Sequence, residues 1–340
     1  MRRVPKISIR LHGGMAPAQG IALAKAAEDA SFSSVWFAEN AFARGILPLA
    51  SACALATSRL RIGAGVFNPF SRHPTMMAME IGALDELSNG RAMLSVGTGI
   101  LSAVEKIGFN AGKPLLAVRD TLTIVRGLLR GEEVDHAGPA FSARKVRLDY
   151  KPRPDIAIFL AGRGKLTVQL AGQAADGLIV SNMCSVGFAA GVAELMQASR
   201  HVAGRPDNGQ VVQFMPCAMR ADRTEAMTAA KRAVGEMLPG FWALGKRLSS
   251  AKEGLLAGTD ISEAEFATAV VRLQAGRGAA EDILDERYAK AFSLAGTPED
   301  CLATAQRYAA AGVTELALTF AGPTALRDIG TMGAALREWH

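Results

Sequence analysis

The groups in this sequence whose types and spacing could do chemistry cluster just after short apolar runs. Gly162-Arg163-Gly164 follows the run IAIFLA and precedes a helical pattern. Small residues there let backbone N–H groups approach a phosphate, and a helix N-terminus adds partial positive charge. Arg163 or Lys165 would add a full charge; the same spacing also suits an ordinary strand-to-helix turn with a solvated arginine. Gly97-Thr98-Gly99 runs on to Ser102 as a degenerate G-x-G-x-x-G. A dinucleotide fingerprint would need an acidic residue at the end of the next strand, roughly twenty positions on, and Asp120 falls in a helical pattern instead. Glu39-Asn40 closes the run VWFA. Glu39 can serve as an acid, a base or a hydrogen-bond partner at a pocket mouth, or it can pair with an arginine such as Arg44 or Arg72. Asn68 offers a donor and an acceptor to the edge of a planar ring, or it caps a turn before Pro69. Gly65-Val66 precede it, and Asn182 follows the run GLIVS.

Other chemistries find no support in the pattern. Cys53, Cys184, Cys217 and Cys301 are far apart and form no C-x-x-C pair, so they read as buried free thiols instead of disulfides or zinc ligands. His12, His73, His136, His201 and His340 are equally scattered, and no metal is expected. The formal charge of +6 would attract an anion, but the basic residues do not interleave with aromatics, which argues for an anionic small molecule over nucleic acid. No apolar run approaches the length of a membrane span, and residues 1–10 lack the apolar stretch of a signal peptide. A soluble, cytoplasmic protein with no membrane partner is expected.

These candidate groups need a scaffold that brings strand ends together, and the order of elements supplies one. Alternating or fully apolar runs at 6–11, 34–37, 60–66, 91–96, 156–160, 177–180, 211–219 and 315–320 predict eight strands. Helical patterns at 17–30, 47–56, 75–87, 117–129, 166–175, 188–201, 298–311 and 325–339 alternate with them. Residues 132–150 predict a small hairpin beside the main sheet. Residues 224–292 show only helical periodicity, interrupted at Pro239, around 257–260 and at 274–278, and predict a helical insertion between strands seven and eight. Eight successive βα units favour an α/β fold of the closed (β/α)₈ TIM-barrel type over an open doubly wound sheet, in one domain spanning 1–340. Chemistry in such barrels sits at the C-terminal strand ends, where all the candidate groups above fall. Met76, Met77 and Met79, at helical spacing, read as core or dimer-interface packing.

The runs VWFAEN (35–40), RLRIGAGV (59–66), RHP (72–74), ALDELSNGR (83–91) and VGTG (96–99) resemble the bacterial luciferase-like superfamily. GAGVFNPFSRHP (63–74) is most similar to the coenzyme F-420-dependent methylenetetrahydromethanopterin reductases within it, and AGQAADG (171–177) and GTPED (296–300) read as further family signatures. The resemblance implies a TIM barrel that binds coenzyme F-420 (a deazaflavin) or FMN at the strand ends, as a homodimer acting on a small-molecule substrate. It implies a phosphate arm near Gly162, Arg163 and Gly164 and a tricyclic ring against Gly65, Val66 and Asn68. Gly97, Thr98, Gly99 and Asn182 would also bind the cofactor, with Glu39 and Asn40 as catalytic residues and a cis peptide between Gly65 and Val66. Where many relatives have Asp-His this chain has Glu39-Asn40, and where sugar-oxidising relatives have an acid it has Ile100. The expected activity is therefore hydride transfer to or from a small organic substrate, with alcohol oxidation disfavoured and weight given to reduction of an activated double bond or to oxygenation. An FMNH₂-using two-component monooxygenase and a non-catalytic cofactor-binding homologue are the alternatives.

Overall fold

Alternation in the first strand decides which groups line the interior. In β1 (Lys6–His12) Ile7, Ile9 and Leu11 pack outward into a large apolar cluster beneath the helices, leaving Ser8, Arg10 and His12 on the other face. The computed structural model describes residues 4–320 and 322–339; His340 lies outside them. Next come β2 (Ser34–Ala38), β3 (Arg61–Phe67) and β4 (Ala92–Gly97), followed by a side hairpin, β5 (Val134–Ala137) and β6 (Ser142–Val146). Then follow β7 (Ala157–Ala161), β8 (Gly177–Val180), β9 (Gln210–Met219), β10 (Leu294–Gly296) and β11 (Glu315–Thr319). β1, β2, β3, β4, β7, β8, β9 and β11 pair in parallel in that order, and β11 pairs back onto β1. The ring closes with the expected eight strands.

The lumen is packed. Trp36, Met93, Phe159, Ile179, Val212, Phe214 and Ala317 form one interior cluster, with Trp36 edge-on to Phe159 at 4.9 Å between ring centres. Near the N-terminal end, Glu315 accepts hydrogen bonds from Ser8 Oγ and Trp36 Nε1, each at 2.6 Å. Helices Pro17–Asp29, Pro74–Leu87, Pro114–Leu129 and Pro298–Ala310 each begin on proline, whose fixed φ and missing N–H suit the first helical position. Among the helices of the described residues, none is long and apolar enough to cross a membrane.

Three features differ from the sequence reading. First, a short helix, Leu101–Lys106, occupies the loop after β4, and the helix expected from residue 117 begins at Pro114. Second, the helix Arg223–Gly245 passes through Pro239 unbroken. Its buried face, Val234, Leu238 and Trp242, joins Phe266, Tyr288 and Phe292 in a separate aromatic core, and that burial outweighs the local cost of about 3 kcal/mol that proline imposes. Third, the insertion returns through β10, a ninth parallel strand paired with Cys217–Met219 at the end of β9; three residues carry no readable period. The hairpin is as expected and antiparallel. Buried Asp120 holds it, accepting from Ala140 N at 2.8 Å and Phe141 N at 2.9 Å and lying 3.1 Å from His136 Nε2. All four cysteines are buried and free, and burial pushes the Cys53 thiol up to about 12.

Candidate cofactor and active site

The ends of β3 and β4 meet in a patch built from glycine. The Gly65-Val66 peptide is cis, and the register between β3 and β4 shifts between Ala64 and Phe67. Gly65 has φ of 136°, and a side chain there would run into the backbone and hydroxyl of Ser95. A Cβ on Gly97 would lie 2.8 Å from Val66 Cγ1, and one on Gly99, at φ of 73°, 2.8 Å from Asn68 Cβ. Gly65, Val66, Asn68, Gly97 and Gly99 are thus one contiguous surface, with half-buried Thr98 beside it. Asn68 does cap a turn: Oδ1 accepts from Phe70 N at 3.1 Å and Ser71 N at 2.9 Å. Its carboxamide oxygen is therefore used, while Nδ2 donates to nothing among the described residues.

Glu39 joins this surface through its backbone, donating to Gly65 O at 3.0 Å. Its carboxylate pairs with Arg72 at 3.3 Å, and Arg72 also reaches Glu80 at 2.7 Å and lies 4.1 Å over the Phe67 ring. Burial raises the Glu80 carboxyl above its ordinary value against the pull of Arg72, with Glu39 adding repulsion. Of the two arginines that sequence allowed, Arg72 is the partner; Arg44 instead contacts Gly14 O at 3.5 Å. Asn40 is exposed, and its carbonyl accepts from Ala43 N. Ile100 is 65% exposed, so the mouth carries an apolar side chain where an acid would do proton chemistry.

Across the mouth, β7 and β8 present a different environment. Gly164 caps the helix Lys165–Ala174 without a side-chain hydrogen bond, leaving first-turn N–H groups with no side-chain acceptor. Space around Gly164 is open, whereas Gly162 packs against Thr167 and spends its N–H on Ile179 O at 3.1 Å. The Gly162 N–H is therefore unavailable to a ligand, contrary to the sequence expectation. Arg163 is not solvated either; Lys165 is the exposed member of the pair. Arg163 Nη2 donates to Ser181 Oγ and, at 3.2 Å, to Asn182 O. Its guanidinium lies 5.1 Å over the ring of Phe241, a residue of the insertion. Arg163 Nη1 and Asn182 Oδ1 are both buried with no hydrogen-bond partner. Burial pushes the neighbouring Cys184 thiol up to about 11, while the Arg163 charge pulls it down.

One group went unnoticed in the sequence. Arg10 follows Ser8 on the inner face of β1, donates from Nη1 to Thr319 Oγ1 at 3.2 Å and lies 5.2 Å over the lumen ring of Phe214. Its Nε is buried without a partner, and burial lowers its pKa to about 10. His12, two residues on, accepts from Gly14 N at 3.2 Å through Nδ1. Burial and then the Arg10 charge lower its pKa, so the ring is neutral at pH 7 with its proton on Nε2. The missed signal was the alternation itself, which fixes a face without saying whether that face meets water or a lumen. Met77 is core, whereas Met76 and Met79 are 44% and 45% exposed. A cleft of about 330 Å³ between Val4–Ile7 and Leu336-Arg337 lies at the opposite end of the barrel and touches none of these groups. Among the described residues no three His, Cys, Asp or Glu side chains gather as a metal site.

The family model described as luciferase-like monooxygenase matches residues 5–315. The chain belongs to that family. The 5,10-methylenetetrahydromethanopterin reductase of Archaeoglobus fulgidus is 28% identical to it over 311 residues, covering 91% of this chain and 92% of the relative. The solved coenzyme F-420-dependent tetrahydromethanopterin reductase of Methanopyrus kandleri superposes with a TM-score of 0.83 at 23% identity, over 99% of this chain and 100% of the other. A type II Baeyer-Villiger monooxygenase component from Pseudomonas putida, solved with FMN, superposes with a TM-score of 0.73 at 17% identity, with 97% of each chain covered. At such identities the two structural likenesses speak for the fold alone. The family member described here is a luciferase-like oxidoreductase built on a closed eight-stranded barrel.

Proposed function

We propose that this chain is a coenzyme F-420-dependent reductase that transfers hydride to an activated double bond of a small organic substrate. The flavin- or deazaflavin-dependent class follows from the family and from full-length relatives that are reductases; the deazaflavin is the finer reading. The choice of the deazaflavin rests on those relatives; one observation carries the binding of an anionic cofactor arm, which coenzyme F-420 and FMN share. Arg163 Nη1 and Asn182 Oδ1 are buried and unpartnered beside a helix N-terminus that no side chain caps. Unpaired buried polar groups are costly, and an anionic, hydroxyl-bearing cofactor arm would satisfy both. The glycines at 65, 97 and 99 let Ser95, Val66 and Asn68 pack closer than any side chain would allow, and a planar ring would lie on the surface so formed.

Arg163 and the first-turn N–H groups at Gly164 would hold the phosphate, with Asn182 accepting from a hydroxyl. Phe241 covers the Arg163 guanidinium and excludes water from that charge. Asn68 Nδ2 is left to donate to the ring edge. When bound, the reduced deazaflavin supplies the hydride. Glu39, tied to Arg72 and to Gly65, positions the turn that carries the ring surface, and exposed Asn40 has no group able to take a proton. His12 Nε2–H adds a proton-bearing group at the C-terminal end of the lumen face of β1.

Titrating the purified chain with coenzyme F-420 and with FMN, each followed by absorbance and fluorescence, tests this reading. Tighter binding of F-420 is expected, with substrate-dependent oxidation of its reduced form under nitrogen. Preferential binding of FMN with oxygen uptake would replace it by the monooxygenase reading, and binding without turnover by the non-catalytic one.

A further inference from the structure

The strand β1 carries a charge that the cofactor site does not use. Arg10 sits on the lumen face of β1, paired in register with Trp36 across β2 and bracketed by Phe214 and Thr319. A guanidinium inside a barrel normally has a carboxylate beside it, because an unpaired buried charge is costly. Among the described residues Arg10 makes no ion pair, and the nearest lumen acid, Glu315, spends Oε1 on Ser8 and Trp36. Nη1 donates to Thr319; Nε and Nη2 donate to nothing among the described residues. A purely structural arginine looks different here: Arg91 makes five hydrogen bonds to Ser88, Thr57, Leu60 and Ala54. Arg10 is half-buried as a residue, and Nη2, unlike the buried Nε, keeps some solvent contact, so the unused donor edge is approached from that side.

We infer that Arg10 is a substrate-recognition residue and that the substrate carries a carboxylate, taken up by the free Nε and Nη2 edge. Two parallel N–H donors match the two oxygens of a carboxylate, which distinguishes this group from a neutral carbonyl. Thr319 Oγ1, which accepts from Nη1, retains a hydroxyl proton to offer the same anion. The ring of Phe214 and the Trp36 indole make the surroundings apolar, strengthening a charge-assisted bond formed there. Neutral His12 stands beside this anchor, so the anchored substrate meets a proton-bearing group and one cation. The catalytic meaning of this anchor rests on the hydride-transfer reading above; the carboxylate site does not.

Isothermal titration calorimetry of the cofactor-free chain with sodium benzoate and with benzamide tests the anchor directly. Benzoate should bind about tenfold or more tightly than benzamide. Arg10→Met should bring the two within twofold of each other while leaving coenzyme F-420 affinity unchanged. Equal binding of benzoate and benzamide by the parent, or a benzoate preference that survives Arg10→Met, would overturn the inference. If Arg10→Met does not fold, Arg10→Gln replaces it under the same two criteria. Failure of the parent to bind coenzyme F-420 or FMN would sink the cofactor reading and leave this measurement to stand or fall by itself.

Discussion

The two ends of the barrel treat charge in opposite ways. At the N-terminal end charged groups are saturated. Arg91 makes its five bonds, Glu28 accepts from the backbone of Ser58, Arg59 and Leu60, and Asp176 holds Ile158 N between Arg126 and Arg205. At the C-terminal end Arg10 and Arg163 each keep a buried donor without an acceptor, and Asn182 keeps an acceptor without a donor. Ser34 Oγ, near the start of β2, and Gln197 Oε1, whose amide nitrogen reaches Gly209 O just before β9, are exceptions at the satisfied end. Satisfied polar groups fix one packing; unsatisfied ones store a cost that a ligand relieves on arrival. The contrast separates residues that hold the barrel shut from residues that wait for something to bind.

That separation is open to attack, most strongly at Arg91. Arg91→Ala leaves acceptors on four residues without their donor and should destabilise the fold by about 3 kcal/mol, read from urea unfolding, with cofactor affinity per folded molecule unchanged. Arg163→Ala should do the reverse. It should weaken coenzyme F-420 binding by about ten- to a hundredfold, equivalent to roughly 1.5–3 kcal/mol, with little change in the unfolding midpoint. A large stability loss there would erase the distinction between the ends.

The barrel was legible because its strands alternate or run apolar, and because prolines mark several helix starts. The site was legible only as a set of strand ends. Sequence allowed Glu39 either Arg44 or Arg72, and long-range packing chose Arg72 through its contacts with Phe67 and Glu80. It allowed Arg163 to be solvated, and the insertion's Phe241 covers it; the insertion has no sequence pattern from which that contact follows. Arg10 was hidden for a subtler reason. A polar residue on an alternating strand normally marks the wet face, but in a closed barrel the polar face of β1 turns inward.

Two smaller effects sharpen the comparison. Burial pushes the Glu28 carboxyl up, but the backbone donors of Arg59, Ser58 and Leu60 and the Arg59 charge bring it below its ordinary value. Its stabilisation is therefore present above the unfolded pKa near 4.3 and lost as pH falls through the lower folded value. Thermal midpoints should drop below about pH 4 in the parent, and Glu28→Gln should flatten that limb. The smallest effect has the opposite sign. Arg10→Met removes an unpaired charge from an apolar lumen and should raise the ligand-free melting temperature by roughly 1–2 °C, measured by calorimetry; a fall would mean that Arg10 belongs with the saturated groups.

The ninth strand bears on how this architecture diversifies. The chain leaves the barrel at Met219 and returns at Leu294–Gly296, whose residues pair with Cys217–Met219. Exit and re-entry are therefore neighbours in one sheet, roughly 4.8 Å apart. Whatever lies between them behaves as a closed loop on a fixed clasp. Doubling its length costs only about 0.6 kcal/mol in closure entropy, and ring closure of the barrel does not depend on its contents. The excursion can be lengthened, trimmed or exchanged for another helical cassette, and each exchange presents a new Phe241 equivalent to Arg163. The clasp makes the wall over the anion-binding side a replaceable part.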